Sequence, residues 1–272
     1  MADNRKTQAV YTHGHHESVL RSHRWRTAEN SAAYLLPLLE PGMSVLDVGC
    51  GPGTITVDLA AKVFPGRVAA LEVTEDVLAL ARAEAAAREV SNIDFVVADV
   101  HNLDSPNARF DVVHAHQVLQ HVADPVQALR EMRRVCAPGG IVAARDSDYA
   151  AFTWFPDLPG LHDWLSLYRT AARANGGEPD AGRRLMAWAH AAGFADVTAS
   201  ASTWCFATPA DRAWWGGVWA DRVRDSALAR QLVRDGLTDQ SGLQALADAW
   251  QAWANDDDGW FSVLHGEIIC NT

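Results

Sequence analysis

Val45-Leu46-Asp47-Val48-Gly49-Cys50-Gly51-Pro52-Gly53 is the stretch that decides the reading of this chain. An apolar run ends in an acid region, three alternate glycines follow, and a helical stretch, TITVDLAAKV (54–63), comes directly after. The pattern predicts a strand, a tight turn and a helix. The glycines let the backbone turn sharply and approach a ligand closely. The free N–H groups at the start of the helix suit an anionic group such as a carboxylate. A dinucleotide fingerprint needs its third glycine at 54 or 56, and both positions hold threonine. The spacing therefore argues against a nicotinamide-dependent oxidoreductase.

Working outward, short β-branched runs alternate with Ala-rich helical runs. Strands are expected at 44–48, 67–73, 93–100, 110–116 and 141–146, with helices at 75–90 and 124–136 between them and a turn at 138–140. That alternation predicts a mostly parallel sheet with helices on both faces. Glu72 closes the second strand and Asp99 the third. A carboxylate only accepts hydrogen bonds, so Glu72 suits a ribose diol and Asp99 an exocyclic amino group. Acids at the C-terminal ends of successive strands converge on the crevice where open α/β sheets bind ligands.

Past residue 146 the pattern loosens. FPDLPG (155–160) reads as a turn-rich break, 161–175 and 181–194 as helices, and 196–207 as a strand. Residues 209–254 read as helical and 259–270 as a last strand. The expected organisation is an N-terminal helical cover over 1–40 and one domain over 41–272, with a helical insert at about 208–255.

The ordered set VLDVGCGPG, Glu72, FVVADV with Asp99, FDVVHAHQVLQHV and APGG resembles the class I S-adenosyl-L-methionine methyltransferases, in particular the UbiE-like group. The resemblance covers roughly residues 43–146. It implies a Rossmann-like, seven-stranded, mostly parallel sheet with an antiparallel last strand. It implies S-adenosylmethionine as cofactor and S-adenosylhomocysteine as product. It implies a cofactor site made of Asp47, Gly49, Cys50, Gly51, Gly53, Glu72, Val73, Asp99, Val100, His116 and Gln117. Two departures stand out: Ala70 where the family often has glycine, and Gln120 within Leu119-Gln120-His121-Val122 where it often has histidine. The segment HGHHESVLRSHRWRTAENSAAYLLPLLEPGM (13–43) is similar to the N-terminal region of fungal thiol methyltransferases, which makes sulfur one candidate acceptor atom.

The balance of 23 Lys+Arg against 34 Asp+Glu gives a formal charge of -11. An acidic chain repels phosphate backbones, so nucleic acid is not the expected partner. No apolar run approaches the roughly 20 residues needed to span a bilayer, and the start shows no apolar signal region, so a cytoplasmic protein without a membrane span is expected. The four cysteines (50, 136, 205 and 270) are scattered, which argues against structural zinc, iron–sulfur and a disulfide framework.

Methyl transfer from a sulfonium is an in-line displacement, in which the protein mainly aligns the partners. Where an acceptor must lose a proton, His116 and His121, just after the fourth strand, are the candidate bases; Asp146 and Asp148 follow the fifth. Tyr11, His16 and Arg26 are candidates for a cover that closes on the site and excludes water. The cluster around His13, His15 and His16 lacks the carboxylate or cysteine that would complete a metal set, so no metal is expected. Tryptophan is abundant, 11 in all, with only Trp25 before residue 150. Trp154, Trp214 and Trp215 are the candidates for an aromatic acceptor chamber, although Trp250 and Trp253 show the spacing of ordinary helix packing. The expected activity is methylation of a small molecule at S, O, N or C. The rivals are a thiol-specific enzyme, an enzyme acting on RNA or protein, and a non-catalytic S-adenosylmethionine-binding regulator.

Overall fold

The computed structural model describes Thr12 and residues 17–272. The first half follows the expected alternation. After α1 (Glu17–Arg24) and α2 (Ala28–Ser31) come β1 (Val45–Val48), α3 (Thr54–Val63), β2 (Val68–Glu72), α4 (Glu75–Ala87), β3 (Ile93–Val97), β4 (Phe110–His116), α5 (Pro125–Val135) and β5 (Cys136–Ser147). The five strands pair in parallel in the order β3-β2-β1-β4-β5.

The second half continues with β6 (Thr153–Phe155), α6 (Pro159–Ala174), α7 (Leu185–Ala191), β7 (Asp196–Phe206), α8 (Pro209–Asp225), α9 (Ala227–Arg234), α10 (Gln240–Asn255) and β8 (Trp260–Asn271). Strand β8 runs antiparallel to every neighbour. One edge pairs with β7 along its length, and the other with β5 and then β6. The sheet thus has eight strands. The additional one is the three-residue β6, which runs up to the expected turn-rich break at 155–160 and shares only Phe155 with it. Strand β5 also begins earlier than expected, running through Pro138-Gly139-Gly140. Its register against β4 shifts between Phe110 and Val112, so these turn-forming residues sit in an irregular stretch of the ladder.

Local chemistry explains the helix starts. Asp124 caps α5 by accepting from the Gln127 amide, with Pro125 in the first turn where a missing N–H costs nothing. Thr208 and Asp211 cap each other's backbone amides at the start of α8, and Asp239 caps α10.

Alternate side chains of the central strands enter opposite cores, as the two-residue period requires. Val45 and Val112 pack with α3 and α4 residues such as Leu59 and Leu78. Leu46, Val48 and Val113 pack with Leu129 and Met132 of α5. A third core is aromatic. Trp164, Trp219, Trp250 and Trp253 are fully buried there, together with Tyr168, Phe206 and Phe261. It joins α6, α8 and α10 to the β7–β8 end of the sheet, so the helices between β7 and β8 build a core of their own.

Candidate functional site

A cavity of about 270 Å³ opens at the C-terminal ends of the parallel strands. One end is made by the glycine turn, Glu72, Val73, Asp99 and Val100; the other by Tyr149, Phe152, Trp204, Trp215 and Trp219. His116, Gln117, His121 and Ser147 also line it, and α1 contributes Leu20, Ser22 and His23.

The glycine turn is conformationally forced. Gly49, Gly51 and Gly53 have φ of 67°, 55° and 85°, the left-handed region that L side chains rarely adopt. At Gly49 an added Cβ would collide with Val118 Cγ2, and at Gly53 it would lie 2.9 Å from Ala81 of α4. Gly51 is different: the nearest atom to an added Cβ is His23 Nδ1, at 3.9 Å, so its open face borders the cavity. Gly53 is not among the lining residues; it starts α3 and packs against α4. Burial and the nearby Asp47 and Glu72 push the Cys50 thiol far above its usual range, so it is an inert part of the turn.

The three acids separate in role. Asp47 is 3% exposed, and its carboxylate accepts from Thr56 Oγ1 (2.6 Å) and pairs with His114 Nδ1 (2.8 Å). That side chain therefore braces β1 against α3 and β4. Glu72 accepts from the Gly51 amide (3.0 Å) through Oε1 and from the Val73 amide (3.0 Å) through Oε2, tying the glycine turn to the end of β2. Asp99 accepts from the His101 amide (2.9 Å) and is 2.7 Å from the His101 ring. Partial burial acts to raise the Asp99 pKa, but these hydrogen bonds outweigh it and hold the carboxyl below its ordinary range.

Gln117 links the two ends. Its φ of 53° is unusual for a non-glycine residue. Its Oε1 accepts from Arg26 Nη2 (2.6 Å), and its Nε2 donates to Ser147 Oγ (2.8 Å) and His265 Nε2 (2.8 Å). His265 Nδ1 is in turn 3.0 Å from the Val263 carbonyl, which assigns the proton to Nδ1. Arg26 thus reaches the site through Gln117, next to α1. Tyr11 and His16 lie outside the described residues, as do His13 and His15.

Of the candidate bases, His116 is 6% exposed and neither ring nitrogen has a hydrogen-bond partner. Burial first, and then the charges of Arg145 and Arg26, depress its basicity strongly. Burial likewise brings His121 down to about 3. Both rings are therefore neutral at pH 7 and weakly basic. Asp148 is held by Arg183 at 2.6 Å and does not line the cavity.

Asp146 is fully buried and also away from the cavity lining; Oδ1 accepts from the Gln120 amide and Oδ2 has no partner. Burial pushes its carboxyl up to about 7. A raised acid pKa means that the folded state keeps the proton while the unfolded chain, near pKa 3.9, has lost it. Stability contributed by the neutral carboxyl is present at acid pH and falls as pH rises from about 4 to about 7, by roughly 4 kcal/mol in all. Asp146→Asn should remove this slope. Urea midpoints of variant and wild type are expected to diverge between pH 4 and pH 7, and parallel curves would contradict it.

The aromatic end differs from expectation in its members. Trp215 lines the cavity as expected. Trp154 instead stacks on Phe261 (5.6 Å, 10°), and Trp214 packs against Trp25 (5.3 Å); neither lines it. Trp204 and Trp219 take their places. A signal existed for both: Trp204 falls in phase with Phe206 on a period-two strand, and Trp215, Trp219 and Arg222 form an i, i+4, i+7 stripe on α8.

Residues 39–201 match the family model described as a methyltransferase domain. An uncharacterised methyltransferase of Schizosaccharomyces pombe is 36% identical over 270 residues, covering 96% of each chain. A probable methyltransferase of Aspergillus luteorubrus is 32% identical, covering 95% of this chain and 96% of its own. The chain belongs to the class I S-adenosylmethionine-dependent methyltransferases. Among solved structures, the YcgJ protein of Bacillus subtilis superposes with a TM-score of 0.58 at 17% identity, covering 89% of this chain and 98% of that one. A Haemonchus contortus phosphoethanolamine N-methyltransferase, in complex with S-adenosylhomocysteine, gives 0.54 at 16%, covering 86% of this chain but only 49% of its own. The likeness to these two fungal methyltransferases spans nearly the whole chain, and neither is described by its acceptor. No helix among the described residues of this methyltransferase is long and apolar enough to cross a membrane.

The site suits the methyltransferase cofactor on its own geometry. The glycine turn presents an open backbone face at Gly51, Glu72 and Asp99 border the same space, and the His116 ring, 5.8 Å from that of Trp204, lines it too.

Proposed function

We propose that the chain methylates a small-molecule acceptor, with S-adenosyl-L-methionine as donor and S-adenosyl-L-homocysteine as product. The observation that carries this reading is the continuity of one cavity, from Glu72 and Asp99 past His116 to Trp204, Trp215 and Trp219. In this reading the donor takes the glycine-turn end and a flat acceptor the aromatic end, with their junction near His116.

Bound S-adenosylmethionine supplies an electrophilic methyl group. The rest falls to this chain's residues. Glu72 takes the ribose hydroxyls, Asp99 the adenine side, and the Gly49–Gly53 turn with Cys50 the methionyl end; Val73 and Val100 flank the nucleoside. Asp47 lines the same end and supports the turn through Thr56 and His114. Gln117 and Arg26 hold α1 near the donor and keep Ser147 and His265 in place. The aromatic wall orients the acceptor and excludes water, which strengthens the electrostatics of a charge-neutralising displacement. His116 and His121 act as neutral polar contacts at the junction rather than as strong bases.

The test is calorimetric titration of the full chain with S-adenosylmethionine, S-adenosylhomocysteine and NAD. Micromolar affinity for the first two, and none for NAD, is the expected result; folded protein that binds neither sulfur ligand would overturn the reading.

A further inference from the structure

The described residues at the two ends of the cavity carry opposite charge. Among its described lining residues the carboxylates are Asp47, Glu72 and Asp99, all at the glycine-turn end. The Asp47 oxygens are already engaged by Thr56 and His114. The aromatic end carries guanidinium groups instead. Arg222 Cζ lies 4.5 Å from the Trp219 ring centroid, and Arg26 Cζ lies 5.6 Å from that of Trp204. Arg222 is 4% exposed and donates to the Ser18 carbonyl (3.0 Å) and the Ser22 hydroxyl (2.8 Å).

A phenol of the protein itself experiences this environment. Tyr149 lines the same end; burial holds its phenol above the ordinary range, and a hydrogen bond with Tyr168 and the charges of Arg222 and Arg26 act in the opposite direction, toward the anion. Neutral polar groups complete the surroundings. Trp215 is 5% exposed and its indole N–H has no partner, and both ring nitrogens of His116 are without partners. The Trp215 N–H and the single N–H of the neutral His116 ring are buried donors, which favour a ligand atom that accepts hydrogen bonds strongly. In a water-poor chamber a fixed positive charge attracts an oxyanion and repels an ammonium group.

Building on the methyl-transfer reading, we propose that this end selects a planar acceptor with an acidic hydroxyl, which reacts as its aryl oxyanion, and that Arg222 is the specificity-determining charge. The hydroxyl proton leaves to solvent as the acceptor is taken up. An oxygen lone pair then forms the O–CH3 bond while the S–CH3 bond breaks, and its electron pair neutralises the sulfonium to a thioether. No side chain has to store the proton, in keeping with the weak basicity of His116 and His121.

The experiment supplies the full chain and S-adenosylmethionine with 2-naphthol, 2-naphthalenethiol and 2-naphthylmethylamine, three probes of similar shape, and reads products by mass spectrometry. Methylation of the naphthol with rejection of the amine is expected. Turnover of the amine at an equal or greater rate overturns the proposal, and so does turnover of the thiol with none of the naphthol. No turnover of any probe, with no binding of 2-naphthol to protein saturated with S-adenosylhomocysteine, overturns it as well. Exchanging 2-naphthol for the more acidic 6-cyano-2-naphthol should move the inflection of the kcat/KM pH profile downward; an inflection that stays fixed identifies a protein base and overturns it.

Arg222→Met should lower kcat/KM for 2-naphthol by roughly tenfold to hundredfold, and Arg222→Lys should recover most of it. Because Arg222 also bonds to Ser18 and Ser22 of α1, both variants are compared at saturating S-adenosylmethionine, which separates the acceptor effect from any change in donor affinity. An Arg222→Met protein that folds, binds S-adenosylhomocysteine and keeps full naphthol turnover overturns the assignment. If that variant does not fold because α1 is released, the wild-type pH comparison carries the test. Failure of wild-type protein to bind S-adenosylhomocysteine is a different result, and counts against the methyl-transfer reading itself.

Discussion

Replacing Glu72 by alanine is expected to weaken S-adenosylhomocysteine binding by about a hundredfold or more, because hydrogen bonds to a charged group contribute roughly 1.5–3 kcal/mol each. Two losses combine. The ribose loses its acceptor, and the glycine turn loses the carboxylate that holds the Gly51 and Val73 amides at 3.0 Å. Freed from that tie, the turn must be ordered by the ligand, which costs further affinity. Glu72→Gln keeps one strong acceptor and should fall between wild type and alanine. Calorimetry measures the affinities, and a thermal melt confirms that the variants are folded. Affinity within about threefold of wild type for Glu72→Ala would show that the acid does not hold the nucleoside.

The largest effect on stability is expected at Trp250. Its side chain is fully buried, stacks on Trp219 (5.7 Å, 10°), and meets Trp164 edge-on (4.7 Å). Trp250→Ala leaves a large hole in a rigid aromatic core, a change that costs about 3–5 kcal/mol. For a chain of this size that corresponds to a fall in Tm of roughly 10 °C. Trp219 lines the cavity, so acceptor turnover should fall further than S-adenosylhomocysteine affinity. Differential scanning calorimetry together with ligand titration reads both. A Tm shift under about 2 °C would mean that the aromatic core can collapse around the gap.

The donor half of the fold was legible because its signals are local and periodic. Residues 45–63 combine alternating apolar residues, left-handed glycines and a helical repeat, and the helix from Thr54 to Val63 lies where the sequence places it. Strand β6 was hidden because three residues carry no usable period, and because Pro156 follows directly and Pro159 soon after. The early start of β5 was hidden because Pro138-Gly139-Gly140 has the composition of a turn, while pairing with β4 and β8 recruits the flanking residues into the sheet. At the acceptor end, eleven tryptophans gave too many candidates. Burial in a core and burial beside a cavity demand the same residue type, so Trp154 and Trp214 could not be told from Trp204 and Trp219 by composition. Asp47 shows the same limit for an acid: its position in the motif was plain, but its pairing with His114 depends on the neighbouring strand.

The aromatic core shared by α6, α8, α10 and the paired strands β7 and β8 has a consequence for how the chain can change over generations. The strands and helices that carry the glycine turn rest on two other cores, so a substitution among Leu161, Leu243 or Leu246 reshapes the surroundings of Trp219 without disturbing Val45, Leu59 or Leu78. Mutational drift in one compartment is therefore energetically insulated from the other. A lineage with this layout can explore new acceptors by repacking a single cluster, while its grip on the methyl donor is inherited intact.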